Sequence, residues 1–231
     1  MKTEPARIIV GSDIQVTVRR SARARRMTLR VARSNGEVVL TLPQGVSLLD
    51  GKAFAESREA WLRKNRAAVP QVSRAEAGAF IPVAGRVLRI TPAATRLIGI
   101  DGGALLVPQN RPIGTVIAAW LKQVARTRLV RACDHYSAKL GIPYKAITLR
   151  DTRSRWGSCT HDKRLMFSWR LAMAPPDVLD YVAAHEVAHL RHMDHSAAFW
   201  DTTERLMPGH GVHRTWLRDN GAELHAWRFD N

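Results

Sequence analysis

Two histidines and a glutamate within residues 185–189 have the types and spacing of a metal-dependent hydrolytic site. The segment His185-Glu186-Val187-Ala188-His189 fits the pattern H-E-x-x-H. Residues four apart lie one turn above each other on one face of a helix, so both imidazoles can reach one metal ion. Glu186 lies about a quarter turn away, where it can accept a proton from a metal-activated water. The pattern predicts His185 and His189 as Zn²⁺ ligands and Glu186 as general base, although imidazoles also suit Mn, Co or Fe.

Such a site needs a third protein ligand, and several downstream residues are candidates. His195 follows the pattern closely enough for the chain to turn and approach the ion from another direction. His192 would lie about 10.5 Å of helical rise beyond His185, which is too far for easy convergence. Glu204 in the next predicted helix and Asp194 are the carboxylate alternatives. We rank His195 first.

The helix that must carry this pattern is predicted to begin near residue 175. Pro175 and Pro176 suit the first helical positions, and Asp177 suits the positive end of the helix dipole. Residues 178–183 provide an apolar face that would bury the helix.

The first half of the chain is predicted to be rich in strands, with one helix over residues 49–68. Apolar and polar residues alternate as in half-buried strands. The pair Asn35 and Gly36 suits a tight hairpin turn. The predicted strands are residues 14–18, 27–31, 38–42, 87–91, 97–100 and 104–107.

After residues 108–112 the pattern becomes helical. It predicts a long helix over residues 115–140 that stops at Gly141. Two further strands are predicted at residues 146–149 and 164–171, and the second of them precedes the helix with the metal pattern.

Together these elements predict the α+β class. A chain of 231 residues can bury one large core or two small ones. We expect a β-rich N-terminal domain over residues 1–112. A domain with the active-site helix and a small mixed sheet would follow over residues 113–231.

Composition predicts a folded protein without a membrane partner. Apolar residues make up 45% and charged residues 24% of the chain. No window approaches the 18 or so consecutive apolar residues of a membrane span, and no signal peptide is recognisable, so we expect a cytoplasmic location. Cys133 and Cys159 are then expected to be free thiols.

The net charge of +16 predicts an attraction to phosphates and acidic surfaces. The densest basic stretch consists of arginines 19, 20, 23, 25, 26, 30 and 33. It would support weak nucleic-acid association or form the solvent face of a hairpin, and the second is favoured because no aromatic residues interleave. The charge motivates two alternatives to peptide hydrolysis, namely hydrolysis of nucleotide or other phosphoanhydride substrates, and a nucleic-acid module with structural zinc.

Several motifs resemble those of one known family. They are Arg155-Trp156-Gly157-Ser158-Cys159, Trp169-Arg170-Leu171, Ala174-Pro175-Pro176, His192-Met193-Asp194-His195-Ser196 and Phe199-Trp200. Together with the metal pattern, they resemble the YgjP-like metallopeptidases, relatives of the SprT-like zinc proteases. The resemblance is strongest over residues 149–200 and weaker towards the N-terminus.

This resemblance implies a zincin-like catalytic domain that acts on peptides or proteins. It implies His185, His189 and His195 as zinc ligands and Glu186 as the base. It also raises the alternative of a DNA-associated protease of the SprT type.

Candidate substrate-binding residues lie before the metal helix. Arg155 and Trp156 would form a substrate wall or close a hairpin. Residues 166–170, which include Trp169 and Arg170, resemble the edge strand with which zincins hold an extended peptide, unless they form an interior strand of the core.

One departure from the family concerns a possible catalytic tyrosine. Such proteins often carry a Tyr after a proline in the following helix, whereas this chain reads Met207-Pro208-Gly209-His210. His210 or His213 would have to replace a catalytic Tyr, and we include His210 among the candidate substrate-binding residues.

Overall fold

The α+β class is confirmed by a computed structural model that describes residues 6–32 and 36–230. The chain divides into two compact units, the first ending at Gln71 and the second beginning at Val72. No helix in the described ranges is long and apolar enough to cross a membrane.

The first unit is a four-stranded sheet followed by two helices. Its elements are β1 (Arg7–Val10), β2 (Ile14–Ser21), β3 (Thr28–Val31), β4 (Val38–Pro43), α1 (Leu48–Glu56) and α2 (Glu59–Ala67). The strand order is β1-β2-β4-β3, with the central pair parallel and the outer pairs antiparallel. The alternating apolar residues of β2 and β4 are buried and form a core with Ala55 and Leu62.

Two local predictions in this unit have different outcomes. The predicted antiparallel hairpin of β3 and β4 is confirmed, although Asn35 of its predicted turn lies outside the described residues. The single helix predicted over residues 49–68 is instead two helices. Ser57 separates them because its hydroxyl donates to the carbonyl of Phe54 at 2.8 Å, a local bond that competes with helix continuation.

The second unit contains the remaining helices and strands. They are β5 (Ser73–Arg74), β6 (Phe80–Val83), β7 (Arg86–Ala93), β8 (Gly99–Asp101), β9 (Ala104–Pro108), α3 (Ile113–Leu140), β10 (Ala146–Arg150), β11 (Gly157–Cys159), β12 (Arg164–Ser168), a 3₁₀ helix (Trp169–Met173), α4 (Pro176–Ala188), α5 (Ala197–Leu206), α6 (Gly211–Ala226) and β13 (Trp227–Arg228). Strands β6 to β9 form a sheet of order β6-β7-β9-β8, which repeats the strand directions of the first unit's sheet.

This second sheet belongs to the unit that carries the metal pattern. The inner residues of β6, β7 and β9 share one hydrophobic core with α3 and α4. The boundary predicted between residues 112 and 113 therefore falls inside the second unit. The sheet belongs to this unit because it buries its apolar face against α3. The predicted boundary instead followed the change in composition, which occurs where strands give way to helices.

Helix α4, which carries the metal pattern, begins where the prolines predict. Pro175 is its N-cap and Asp177 lies in its first turn. The preceding segment is held by the β6–β7 hairpin, because the turn amides of Ala84 and Gly85 donate to the carbonyls of Ala172 and Met173. Both turn residues have positive φ angles of 51° and 74°. The start of α4 is thereby fixed to the second sheet.

The strand next to α4 differs from the prediction. Strand β12 is the central strand of the sheet β10-β12-β11, parallel to β10 and antiparallel to β11. The predicted edge strand over residues 166–170 is therefore wrong, and the edge near α4 is β11. Trp169 and Arg170 lie beyond the strand, in the 3₁₀ helix.

Arg170 is a buried clamp between three segments of the second unit. Its guanidinium forms two bonds to the carboxylate of Asp151, at 2.6 and 3.2 Å. It also donates to the carbonyls of Leu224 and Trp227 at the end of α6. Its side chain is only 6% exposed, so these bonds tie the 3₁₀ helix to the β10–β11 loop and to α6.

We predict that Arg170→Met destabilises the protein by about 3 kcal/mol, because it leaves a carboxylate and buried carbonyls without their donor. Urea unfolding of the metal-free protein measures this change. Arg111→Met is the control, since Arg111 is an exposed arginine of the same unit. Equal free energies of unfolding for the two variants would contradict the clamp.

Candidate metal site and its surroundings

Three imidazoles converge at the C-terminal end of α4. His185 lies in the last turn of the helix and His189 caps it. The chain then turns back, and His195 returns to the same point before α5 begins. One nitrogen from each ring lies within 4.8 Å of the others, and the described residues contain no other group of at least three His, Cys, Asp or Glu side chains with this property. The structure therefore brings together the three histidines ranked first from the sequence.

The nitrogen positions fit a tetrahedral metal ion. The Nε2 atoms of His185 and His195 are 3.2 Å apart. Two nitrogens about 2.05 Å from a tetrahedral zinc would be separated by about 3.3 Å. The Nδ1 atom of His189 lies 2.8 Å from the carbonyl of His192, and a proton donated there leaves its Nε2 lone pair free for a metal. The spacing of the His185–His195 pair and the ring orientation of His189 thus fit zinc.

The three rings differ in exposure. His189 is buried, His185 is half-buried and His195 is exposed, so the cluster lies where the hydrophobic core meets the solvent. Burial, reinforced by the two neighbouring imidazoles, lowers the pKa of His185 to about 3, and burial also lowers the pKa of His189. Both rings are consequently neutral at pH 7, which is the form that binds a metal.

An aromatic wall supports the histidines from α5. The ring of Phe199 is fully buried, and its centroid lies 4.9, 4.4 and 4.9 Å from those of His185, His189 and His195. Trp200 lies beside His185 and His195 at 5.7 and 5.8 Å. The sequence marked these two residues only as part of the family motif. Their position, four and five residues after His195 in the sequence, was the available signal for their role.

Glu186 lies on a neighbouring face of α4, against the edge strand β11. A methyl group on Gly157 would lie 2.5 Å from Glu186 Oε1, so only glycine leaves room for the carboxyl group. Glu186 is 5% exposed, and burial raises its pKa to about 8, against an opposing effect of the Arg155 charge. This carboxyl group is therefore poised to exchange a proton near neutral pH. The sequence marked Gly157 only as part of the family motif and did not indicate that it lies beside Glu186.

Trp156 connects this edge strand to α6. Its ring stacks on that of His225, with centroids 4.3 Å apart and planes inclined by 21°. A methyl group on Gly221 would come within 2.9 Å of the same indole. Trp156 therefore packs in the second unit as a wedge between β11 and α6.

His210 lies close to the metal site but is enclosed by other rings. It stacks on Tyr181 at 5.6 Å and on Trp200 at 5.7 Å, and its Nε2 lies 3.4 Å from Glu204 Oε2. The charged form of His210 would lower the pKa of His185, which shows that His210 lies near the imidazole cluster. His213 follows it in the first turn of α6.

The rival ligands are engaged elsewhere. One oxygen of Glu204 faces His210, and the other accepts from the amide of Gly209 at 2.9 Å. Asp194 accepts from the amide of Ser196 at the start of α5, and His192 offers its backbone carbonyl to His189. None of the three joins the imidazole cluster.

The two candidate substrate-binding residues of the 3₁₀ helix and the thiol of Cys159 do not present reactive or binding groups. Trp169 is only 3% exposed, and Arg170 is held in the clamp described above. Burial, followed by the charge of Glu186, raises the pKa of Cys159 to about 11. Its thiol is therefore protonated at neutral pH, which disfavours a cysteine nucleophile.

Comparisons with known proteins bear on this site. Among solved structures, the metallopeptidase zymogen abylysin from Pyrococcus abyssi matches with 18% sequence identity and a TM-score of 0.36, over 39% of this chain and 93% of its own. No curated protein sequence matches significantly. The YgjP-like metallopeptidase domain matches residues 25–220. Because that match spans most of the sequence, the chain belongs to the YgjP-like metallopeptidase family and is a metal-dependent hydrolase.

Proposed function

We propose that the protein is a zinc metalloprotease in which His185, His189 and His195 hold the metal and Glu186 is the general base. The observation that carries this proposal is the convergence of three imidazoles where the core meets the solvent, beside a buried carboxyl group. Three protein ligands leave a coordination position open, as in catalytic rather than structural zinc sites.

The ion and the carboxyl group have separate parts in the reaction. When bound, zinc supplies a Lewis acid that polarises the peptide carbonyl and acidifies water. Glu186 takes the proton from the attacking water and gives it to the leaving amine. Burial favours the protonated form of this carboxyl group, and a more basic carboxylate is a better proton acceptor.

Strand β11 is the proposed docking edge for an extended peptide. It has one strand neighbour, β12, in the described residues, and it packs against α4 at Glu186. A peptide added along this edge would be held by main-chain hydrogen bonds next to the general base. His210, enclosed beside Tyr181, is the proposed replacement for the family's tyrosine.

The comparisons favour a peptide bond over a phosphoanhydride bond, since the family is one of metallopeptidases. They give no support to nucleic-acid association. In the first unit, Arg20 donates to the carbonyls of Gln44 and Val46, so part of the basic stretch has a structural role.

The first prediction concerns the general base. Glu186→Gln should retain one bound zinc and lose about 10²- to 10⁴-fold in kcat towards unfolded casein, because the amide cannot accept the proton. Metal content and cleavage are measured on the same samples, with Glu223→Gln as an exposed control. Undiminished cleavage would remove the base role. Phosphate release from nucleoside triphosphates without peptide cleavage would contradict the protease proposal.

The second prediction concerns the room beside the base. Gly157→Ala should lower kcat by about 10²-fold with zinc content unchanged, since the new methyl group must displace the Glu186 carboxyl group. Gly99→Ala is a matched control, because a methyl group there meets nothing within 4 Å. If both alanine variants keep the wild-type kcat, the close contact between Gly157 and Glu186 is not required for catalysis.

The third prediction is a pH dependence of stability. The pKa of Glu186 is raised from 4.5 to about 8 by folding, so the folded metal-free protein binds more protons than the unfolded chain in this interval. Glu186 therefore destabilises the fold increasingly as pH rises through that interval. Glu186→Gln removes this effect, and its free energy of unfolding in EDTA should exceed that of the wild type more at about pH 9 than at about pH 5. A difference that does not vary with pH would show that Glu186 titrates normally.

A further inference from the structure

Two adjoining cavities in the second unit form a groove between α3 and the loop from β10 to β11. Their volumes are about 360 and 370 Å³, and both are lined by Lys122, Asp151 and Trp169. We call this feature the basic groove. It is separate from the imidazole cluster, none of whose residues line either cavity.

The basic groove has a large excess of positive charge. Its basic side chains are Lys122, Arg126, Arg150, Arg153, Arg170 and Arg228. Only two carboxylates line it, and that of Asp151 is already paired with Arg170 at 2.6 Å. In the described part of the chain, the other five basic side chains have no carboxylate oxygen within 4.0 Å, the distance limit of an ion pair. The groove is thus able to bind a ligand with several negative charges.

The chain itself connects the basic groove to the candidate active site. Arg150 and Arg153 line the groove, and the same loop continues through Arg155 to Gly157. The Arg155 charge acts on Glu186, and Gly157 contacts it. The six residue steps from Asp151 to Gly157 span at most about 20 Å. An extended peptide on the β11 edge could therefore reach the groove within about six residues of the bond that is cut.

We propose that the basic groove binds acidic side chains of the substrate, several residues away from the scissile bond. This inference rests on the proposed protease function and adds a substrate class to it. Carboxylates spaced along an extended peptide match cations spaced along a groove, and guanidinium groups bind carboxylates with two parallel hydrogen bonds.

The groove suits a peptide better than a single-stranded nucleic acid. Nucleic-acid grooves without sequence preference combine positive charge with exposed aromatic faces on which bases stack. Here the indoles of Trp169 and Trp227 are only 3% and 7% exposed. Trp169 is also covered by Lys122 and Arg170, whose cationic groups lie 5.8 and 4.9 Å from its ring centroid.

The test compares peptides that differ only in charge. A peptide cut by the zinc-loaded wild type is extended at both ends with three Asp or three Asn residues. We expect the Asp peptide to have a kcat/KM about three- to ten-fold higher at low salt, with the ratio falling towards one as salt screens the charges. The double variant Arg150→Gln/Arg153→Gln should abolish the preference. Arg96→Gln/Arg111→Gln, which removes the same charge from exposed positions outside the groove, should retain it.

Binding to the Glu186→Gln protein separates this inference from the proposed function. Fluorescence anisotropy should show tighter binding of the labelled Asp peptide than of the Asn peptide, whether or not any peptide is cut. Equal binding would overturn the inference while leaving the protease proposal intact. An oligothymidine of similar length that binds more tightly than the Asp peptide, through the same two arginines, would also overturn it and assign the groove to nucleic acid.

Discussion

The burial of helix α4 on nearly every side is the constraint on which the candidate site depends. Its residues from Val178 to Ala188 are buried, apart from Asp180 and His185, against α3, α5, α6 and β11. A helix enclosed in this way cannot rotate about its axis without breaking close-packed contacts. The directions in which the His185 and Glu186 side chains leave the helix are consequently fixed before any metal binds. The turn after α4 therefore brings His195 against a rigid helix end.

The same burial determines the electrostatics of the site. The imidazoles of His185 and His189 are neutral at pH 7, because burial lowers both pKa values and the positive charge of Arg214 lowers that of His185 further. Burial also raises the pKa of Glu186, although the charge of Arg155 acts in the opposite direction. An ionised carboxylate in this position is poorly solvated and therefore destabilises the fold. The absence of a side chain at Gly157 leaves the room that this carboxyl group occupies.

Much of the local structure could be predicted from residue types alone. The alternation in β2 and β4, the end of α3 at Gly141 and the start of α4 at Pro176 follow from periodicity and capping, which depend only on neighbours in the chain. The single helix over residues 49–68 and the strand over residues 164–171 were predicted too long. In both places a backbone turn ends the helix or strand while the apolar pattern of the sequence continues. Periodicity therefore does not indicate where the element ends.

Residue types and their spacing predict the chemistry of the site: a helix with two imidazoles one turn apart, a carboxyl group beside them and a third histidine within reach of a turn. The folded chain is needed to see that His195, rather than His192, Asp194 or Glu204, joins the cluster. It is also needed to see that β11, rather than β12, is the edge strand beside it. It also showed that Arg170 is a clamp and that Gly157 faces Glu186. The physical reason is that ligand type and helical spacing are local properties, whereas strand order and side-chain convergence arise from packing between segments far apart in the chain.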